Sequence, residues 1–545
     1  MSQQVMNLPE LIATIFGLMD RKYNFHNALV CRTWSVFALR EVWRDLDNLH
    51  ALFELLAPLK LQTEHNLAPT HIFSKMPTSE GWQNFDRYSS FVRVLSYKAV
   101  PGKHPLSPHI FADVSQTRPR KIILPQLRRL VWDPPDVQDT IPRMRPAFAV
   151  LFLHSGVTSI SMTFPDVPSI EPQGPTLLQV AARAPYLNDF TLNTKTHPIL
   201  IELCTLISNL PRLKVVTIPE RFYTNRILNA CSRLNVLHTI NFGHRLRADF
   251  DISLAYQPIP PDVLSEPFQA LRTFRLNLRP IDVTTAINSI PAPQRLTYMH
   301  IRLAYVEAEN MARLIAFISR SSKALRGLDF TSGSSIQGRN DNIPTLSLSI
   351  LRPLTLLPHL QSLSLLHLSP CALSLDDIDS LLSGLPSLLY LTLNNIPHYY
   401  EESPIGLDVL AIAGRRCRLL RTLGVLVDST LPVTALPIKA APQDPLLSNL
   451  EELSVGLSRI TEDTTHSTAI LLSNVLPITC DLEYGGSWSG GKSHQSRGTH
   501  AMYSRINSRL QLWDEVDALL KLLRGARPVV KKALDVIERF VNLNI

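Results

Sequence analysis

Cysteine is scarce and scattered. The chain of 545 residues carries six, Cys31, Cys204, Cys231, Cys371, Cys417 and Cys480, and no two form a C-x-x-C pair. That spacing supports neither a zinc site nor a redox dithiol. No Asn-x-Ser/Thr glycosylation acceptor occurs anywhere. No run of 18 apolar residues exists, because the Leu-rich stretch 343–368 is broken by Arg352, Pro353, Pro358 and His359. A spanning helix needs about 20 such residues, so no membrane association is expected. Met1 is followed by polar Ser2, Gln3 and Gln4, without the basic and apolar regions of a secretory leader. Charged residues make up 18% against 45% apolar, which excludes a disordered chain. The net charge of +8 and pI of about 9.2 are mild for this length. They permit an acidic partner without demanding nucleic acid. No triad, paired catalytic carboxylates or ligand cluster stands out, so no catalytic residue, metal or cofactor is predicted, and no enzyme. The absences together predict a soluble intracellular protein, cytoplasmic or nuclear, with reduced thiols.

What is present begins with "ALVCRTWSVFALREVWRDL", residues 28–46, which holds two of the chain's six tryptophans. At 3.6 residues per turn Val30, Thr33, Trp34, Phe37 and Ala38 line one face, while Leu29, Val36, Leu39, Val42 and Trp43 lie on others. A helix apolar on so many sides must be covered on more than one. A small terminal unit covers that surface poorly, so part of it is a candidate partner site. Upstream, Pro9 suits the first turn of a helix. Leu8, Leu11, Ile12, Ile15 and Phe16 follow at helical spacing, ending near Gly17 to Asp20, and "RKYNFHN" reads as a polar link.

Leu8-Pro9, Ile12, Ile15-Phe16, "ALVCRTW" and a closing Trp43 with Leu46 resemble the F-box motif over residues 7–46. F-boxes are three-helix modules that dock on the Skp adaptor of a cullin-RING ubiquitin ligase. The resemblance implies that Leu8, Pro9, Ile12, Ile15, Phe16, Leu29, Val30, Cys31 and Trp34 contact such an adaptor. Leu11 departs from the family, which often places an acidic residue there. The alternative is an ordinary helical hairpin packed on the rest of the chain.

The body repeats a pattern h-x-x-h-x-h, with h apolar. It starts at Leu127, Val157, Leu187, Leu213, Leu237, Leu271, Leu296, Leu325, Leu360, Leu388, Leu420 and Leu450, with an earlier copy at Val92. From Leu127 to Leu450 the mean step is about 29 residues. "APYL", "LPRL", "LPHL" and "LPSL" precede four copies, and a proline ends a helix before each. Helical patterns lie upstream: Ile199, Leu203, Leu206, Ile207 and Leu210; Met311, Leu314, Ile315 and Ile318; Ile378, Leu381, Leu382 and Leu385. Ser374 with Asp377 reads as a capping box. Helix, stop and short strand at this period resemble a degenerate leucine-rich repeat, although the family's Asn or Cys after the strand is mostly missing. Stacking would bury each unit against its neighbours. The alternative, one doubly wound α/β sheet, lacks a Gly-rich turn after its first strand.

Residues 486–493 match the phosphate loop G-x-x-x-x-G-K-S, with Lys492 and Ser493 in place and a strand-like "CDLEY" before them. No apolar helix follows directly, and the short remainder holds no second strand ending in Asp, so a Gly/Ser linker is the preferred reading. Residues 501–545 show helical spacing at Leu510, Trp513, Val516, Leu519, Leu520 and Leu523, then at Val530, Leu534, Ile537 and Val541. A helical pair closing the array is preferred there to a membrane-surface helix, since charges of both signs are interspersed.

The expected fold is therefore α/β, an N-terminal helical F-box module followed by a leucine-rich-repeat-like solenoid of parallel strands and helices, with a helical C-terminal cap. The segments are 1–60 (module), 61–120 (linker and first copy), 121–484 (solenoid), 485–500 (Gly/Ser loop) and 501–545 (cap). The expected function is substrate recognition in an F-box type ligase, with a Skp-type adaptor at the N-terminus and a target protein on the solenoid. A scaffold without a ligase role, or a nucleotide-binding protein, are the alternatives. Strand residues pointing away from the core give the target candidates Arg275, Asn277, Tyr298, His300, Arg302 and Asp329, and their charge suits an acidic or phosphorylated segment.

Overall fold

The computed structural model describes residues 8–47, 49–63, 69–98, 104–133, 146–164, 173–194, 199–243, 268–278, 295–303, 308–332, 345–367, 371–397, 402–434, 446–485 and 504–526. The chain forms two compact units, Met1–Ala270 and Leu271–Ile545.

The first unit opens with three helices, α1 (Pro9–Gly17), α2 (Arg21–Asn27) and α3 (Arg32–Arg44). Pro9 occupies the first turn of α1, where its missing N–H costs nothing. The segment "RKYNFHN" is not a link but α2. Its helix faces inward through Asn24, whose buried amide donates to the carbonyls of Phe16 (2.8 Å) and Met19 (3.1 Å) at the end of α1. Phe16 O also accepts the Met19 N–H at 3.2 Å, so the Asn24 side chain adds a second bond at the end of α1. Leu29 and Val30 likewise lie in a turn rather than on the tryptophan helix. The helix starts one residue after Cys31, whose sulfur caps the Trp34 N–H at 3.5 Å.

The helices continue directly into sheet. Asp45–Leu46 is a two-residue strand parallel to Val94–Lys98, and the Arg93 N–H donates to the Arg44 carbonyl at 2.8 Å. Trp43 stacks against Tyr88, ring centroids 4.9 Å apart. A helix His50–Glu54 and an antiparallel hairpin, Leu59–Gln62 with Thr70–Phe73, intervene before Val94. The ladder of the first unit then runs in chain order through Val94–Lys98, Arg129–Asp133, Ser159–Thr163, Asp189–Asn193, Val215–Ile218 and Thr239–Phe242, every pairing parallel.

The second unit repeats the arrangement. Its strands Thr273–Leu278, Tyr298–Leu303, Gly327–Ser332, Ser362–Leu366, Tyr390–Leu393, Thr422–Val425, Glu452–Gly456 and Asp481–Tyr484 pair in chain order, all parallel. Every copy of the sequence pattern from Val92 to Leu450 thus holds a strand. Equivalent positions face each other: Leu276, Ile301, Phe330, Leu365, Leu393 and Val425 form one buried row. Each unit is a leucine-rich-repeat-like array, in which a strand buries its apolar side only against its neighbours and returning helices.

A backbone device sets the register. The carbonyl of the residue before a strand accepts two N–H groups from the start of the next. Arg326 O takes Gln361 N (2.7 Å) and Ser362 N (2.9 Å), and Thr158 O takes Asn188 N and Asp189 N. Because the backbone makes these bonds, the preceding side chain is free to vary. The helices expected from periodicity occur at Leu200–Ser208, Ala308–Ser321 and Leu375–Ser383, the last with the Ser374–Asp377 capping box in place.

A helix over 504–526 covers the last strand. Trp513 is fully buried and its indole N–H donates to Ser458 O at 3.0 Å; Tyr484 bonds Asp514 and Arg524 bonds Cys480 O. An edge strand exposes unpaired backbone groups, and this helix shields them. The second helix of the expected pair, from Val530 to Val541, and the 486–493 loop lie outside the described residues.

Candidate protein-interaction surfaces

Two surfaces carry the residues singled out by sequence. The first is the N-terminal module. Ile12, Phe16 and Ala38 form its small buried core, with Ala28, Trp34 and Phe37 packed against them. The Phe16 and Trp34 rings meet edge-on at 5.4 Å. Two of the nine expected adaptor contacts, Ile12 and Phe16, are therefore core residues, and Trp34 is half-buried on Phe16. The reason is local: with α2 helical, α1 and α3 are brought together and close over the inner face of α1.

Leu8, Pro9, Ile15, Leu29, Val30 and Cys31 stay exposed. Val36 is also exposed, and sequence reasoning missed others beside them: Leu18, Met19, Tyr23 and Phe25. Tyr23 and Phe25 escaped notice because their segment read as a link. Leu29 is 75% and Val30 61% exposed. So many exposed apolar side chains within about thirty residues make this module a candidate interaction surface.

The second surface is the outward face of the second unit. The pairing puts Arg275 beside His300, Asn277 beside Arg302, and His300 beside Asp329. Alternate strand residues share a face, so these positions form one patch with Tyr298, as the spacing implied. His300 Nδ1 lies 2.7 Å from Asp329 Oδ2. The Thr331 hydroxyl donates to Asp329 Oδ1 at 3.5 Å. Asp329 is thus paired within the ladder while its side chain remains exposed. Arg275 and Arg302 are exposed and form no salt bridge among the described residues. The Tyr298 ring lies over Gly327, where a Cβ would come within 2.5 Å of Cδ1.

Farther along, the same face is roofed by the chain itself. Asn394 takes a positive φ of 46° and its Oδ1 accepts the His367 N–H at 2.8 Å. Asn395 then crosses the strand of Gly424 to bond Ser454 Oγ at 2.9 Å. Ile396 packs with Leu426, Leu457, Ile506 and Leu510.

Among the described residues no group of His, Cys, Asp and Glu could hold a metal ion, and no helix is long and apolar enough to cross a membrane. Burial pushes the Cys417 and Cys480 thiols up to about 11, as expected of packing residues.

No family model and no curated protein matches the chain. Solved structures do resemble it. A yeast complex of Rad7 and Elc1 aligns at 14% identity, covering 63% of this chain and 81% of that one, with a TM-score of 0.35. A TLR13 complex with single-stranded RNA aligns at 15%, covering 75% of this chain and 59% of that one, TM-score 0.34. The leucine-rich repeat protein LegL7 from Legionella pneumophila aligns at 16%, covering 46% of this chain and 87% of that one, TM-score 0.26. Similarity at these scores bears neither on partners nor on activity, so the repeat architecture rests on the strand ladders themselves.

Proposed function

We propose that this protein is a substrate-recognition subunit of an F-box type cullin-RING ubiquitin ligase. The module of residues 8–46 binds a Skp-type adaptor, and the outward strand faces hold a target protein. The observation that supports this reading is the exposure of the apolar residues Leu8, Pro9, Ile15, Leu29 and Val30 on a module whose own core is small. A module of three helices is compatible with that resemblance. The module runs directly into the first ladder through the pairing of Asp45–Leu46 with Val94–Lys98. Such a subunit brings two proteins together and supplies no catalytic group of its own.

The test is affinity purification of the full chain from cells, read by mass spectrometry. A Skp-type adaptor and a cullin should be recovered with it. Their absence from the eluate, with the chain soluble and folded, would leave a repeat scaffold without a ligase role as the better reading.

A further inference from the structure

We infer that one edge of the first unit, where its helices end and its strands begin, is a track for single-stranded nucleic acid, held through its phosphates. The inference goes beyond the proposed function and does not depend on it.

The charge is local. Residues 87–129 carry nine Lys/Arg and one Asp, a net +8 that equals the net charge of the whole chain. The fold joins these residues to cations of later repeats along one edge. The residue before each strand accepts the backbone of the next, so Arg93, Arg128, Thr158, Asn188, Lys214 and His238 follow one another without a break. Five steps of about 4.8 Å make about 24 Å of edge. No carboxylate stands in that row. Arg120, Lys121, Arg212 and Arg233, in the loops that lead into the same strands, are exposed, as are Arg128 and Lys214.

These charges are largely uncompensated. Arg128 donates to the Gly156 carbonyl at 3.0 Å and Arg183 to the Val150 carbonyl at 3.1 Å, so neutral oxygens hold these guanidiniums and leave their charge intact. Arg128, Arg212, Lys214 and Arg233 form no salt bridge among the described residues. The carboxylates that border these repeats are engaged, Asp86 with Arg120 at 3.6 Å and Asp189 with the Ser159 hydroxyl at 3.3 Å. The dipole of a helix favours cations in its last turn, which accounts for Arg87 and Arg183. It fades within that turn. Arg212 and Lys214 lie beyond the end of the helix Leu200–Ser208, and Arg120 and Lys121 beyond that of Pro108–Thr117, so the dipole does not account for them.

The strand face beside the edge is neutral. Ser96, Val131, Ser161, Thr191, Thr217 and Asn241 form its central row. The cations are thus confined to a line, which suits a linear polyanion. Rings lie among them: Arg212 Cζ is 4.5 Å from the centroid of the half-exposed Tyr186, and Arg87 Cζ is 5.7 Å from that of Tyr88. Unpaired bases stack on such rings and guanidinium planes, whereas the carboxylates of an acidic peptide do not, and a duplex keeps its bases inside. A lipid surface needs apolar side chains free to insert, and Ile122 and Val236 on this edge are each less than half exposed.

The experiment titrates the full chain against labelled strands of about 20 nucleotides, as single-stranded RNA, single-stranded DNA and duplex DNA, over about 50 to 300 mM salt. Poly-glutamate and phosphatidylserine vesicles are measured in parallel. Contact with four to six phosphates predicts that log affinity falls against log salt with a slope of about −3 to −4. The triple Arg128→Gln, Arg212→Gln and Lys214→Gln should weaken binding at least ten-fold and flatten the slope by about 2. Arg128→Lys with Arg212→Lys keeps the charge and should keep the slope; its loss would show that the arginines serve the fold instead, and would refute the track. The triple Arg320→Gln, Arg352→Gln and Arg418→Gln removes the same charge from exposed positions of the second unit and should leave binding unchanged. The track is also refuted if no single strand binds, if duplex, poly-glutamate or vesicles are held as tightly, or if both Gln triples act alike. Adaptor co-purification should persist in the Arg128, Arg212 and Lys214 triple, so failure of the track and failure of the ligase reading are separate results.

Discussion

Replacing Leu29 and Val30 together by serine should separate docking from folding. Both lie in the turn between α2 and α3, where the backbone is fixed by bonds from Leu29 N to His26 O (3.0 Å) and from Val30 N to Asn27 O (3.2 Å). Serine can make the same bonds. In the free chain the side chains are 75% and 61% exposed, so their removal should change stability by less than about 0.5 kcal/mol. Burying a whole Leu or Val side chain is worth about 1.5–3 kcal/mol, and scaling by these exposures gives roughly 1–2 kcal/mol for each on docking. The pair should therefore weaken adaptor binding by about 2–4 kcal/mol, or roughly 30-fold to 1,000-fold. The measurement is titration calorimetry of the purified chain against a purified Skp-type adaptor, with thermal melting alongside. Phe16→Ala is the contrasting variant. It empties the module's core and loses the Trp34 contact, at a cost of about 3–5 kcal/mol to the module's fold. Trp34→Ala is a poor probe for the same reason, since that ring serves the core and the surface at once. Adaptor affinity within three-fold of the parent for the Leu29/Val30 variant would refute docking through this face. A fall in melting temperature as large as that of Phe16→Ala would refute the division between surface and core.

Three further outcomes are expected. Trp513→Ala removes a fully buried ring and strands the Ser458 carbonyl, so it should cost about 3–5 kcal/mol and lower the denaturation midpoint; an unchanged midpoint would mean that the 504–526 helix contributes nothing to the second unit. Gly456 has φ of 54° and a Cβ there would fall 1.9 Å from the Asn395 carbonyl oxygen, so Gly456→Ala should destabilise by more than about 1 kcal/mol, whereas Gly525→Ala, with open space around it, should be silent in the same melt. No saturable ATP or GTP binding is expected, and Lys492→Ala should be without effect; nucleotide binding lost on that substitution would reinstate the 486–493 motif as a working phosphate loop.

The amino-acid sequence by itself determined the positions of the strands. The spacing of Leu, Val and Phe in h-x-x-h-x-h places alternate side chains inward, and its recurrence at about 29 residues after proline stops marks these segments as strands. Prolines at "APYL", "LPRL", "LPHL" and "LPSL" end the preceding helices, so the order of elements was also readable. The pairing of Arg275 with His300 followed from equivalence of position in neighbouring copies, because stacked repeats share one register. The exposed apolar residues Leu8, Ile15, Leu29 and Val30 were legible as an excess that a forty-residue unit could not bury.

Tertiary structure decided what no local pattern encodes. "RKYNFHN" has no apolar stripe, yet it is helical, and Asn24 bonds the carbonyls of Phe16 and Met19 across from it. Ile12 and Phe16 are buried by packing against Ala38, Ala28, Trp34 and Phe37. Asp329 is engaged by His300 from the neighbouring repeat across the sheet, a contact no local pattern shows. The freedom of Tyr298 to lie flat depends on a glycine 29 residues away in the chain. The roof over the later strands depends on Asn395 reaching Ser454 past an intervening strand. Each of these is a contact between residues far apart in sequence and close in space, and side-chain periodicity carries information only about which face a residue occupies, not about what meets it there.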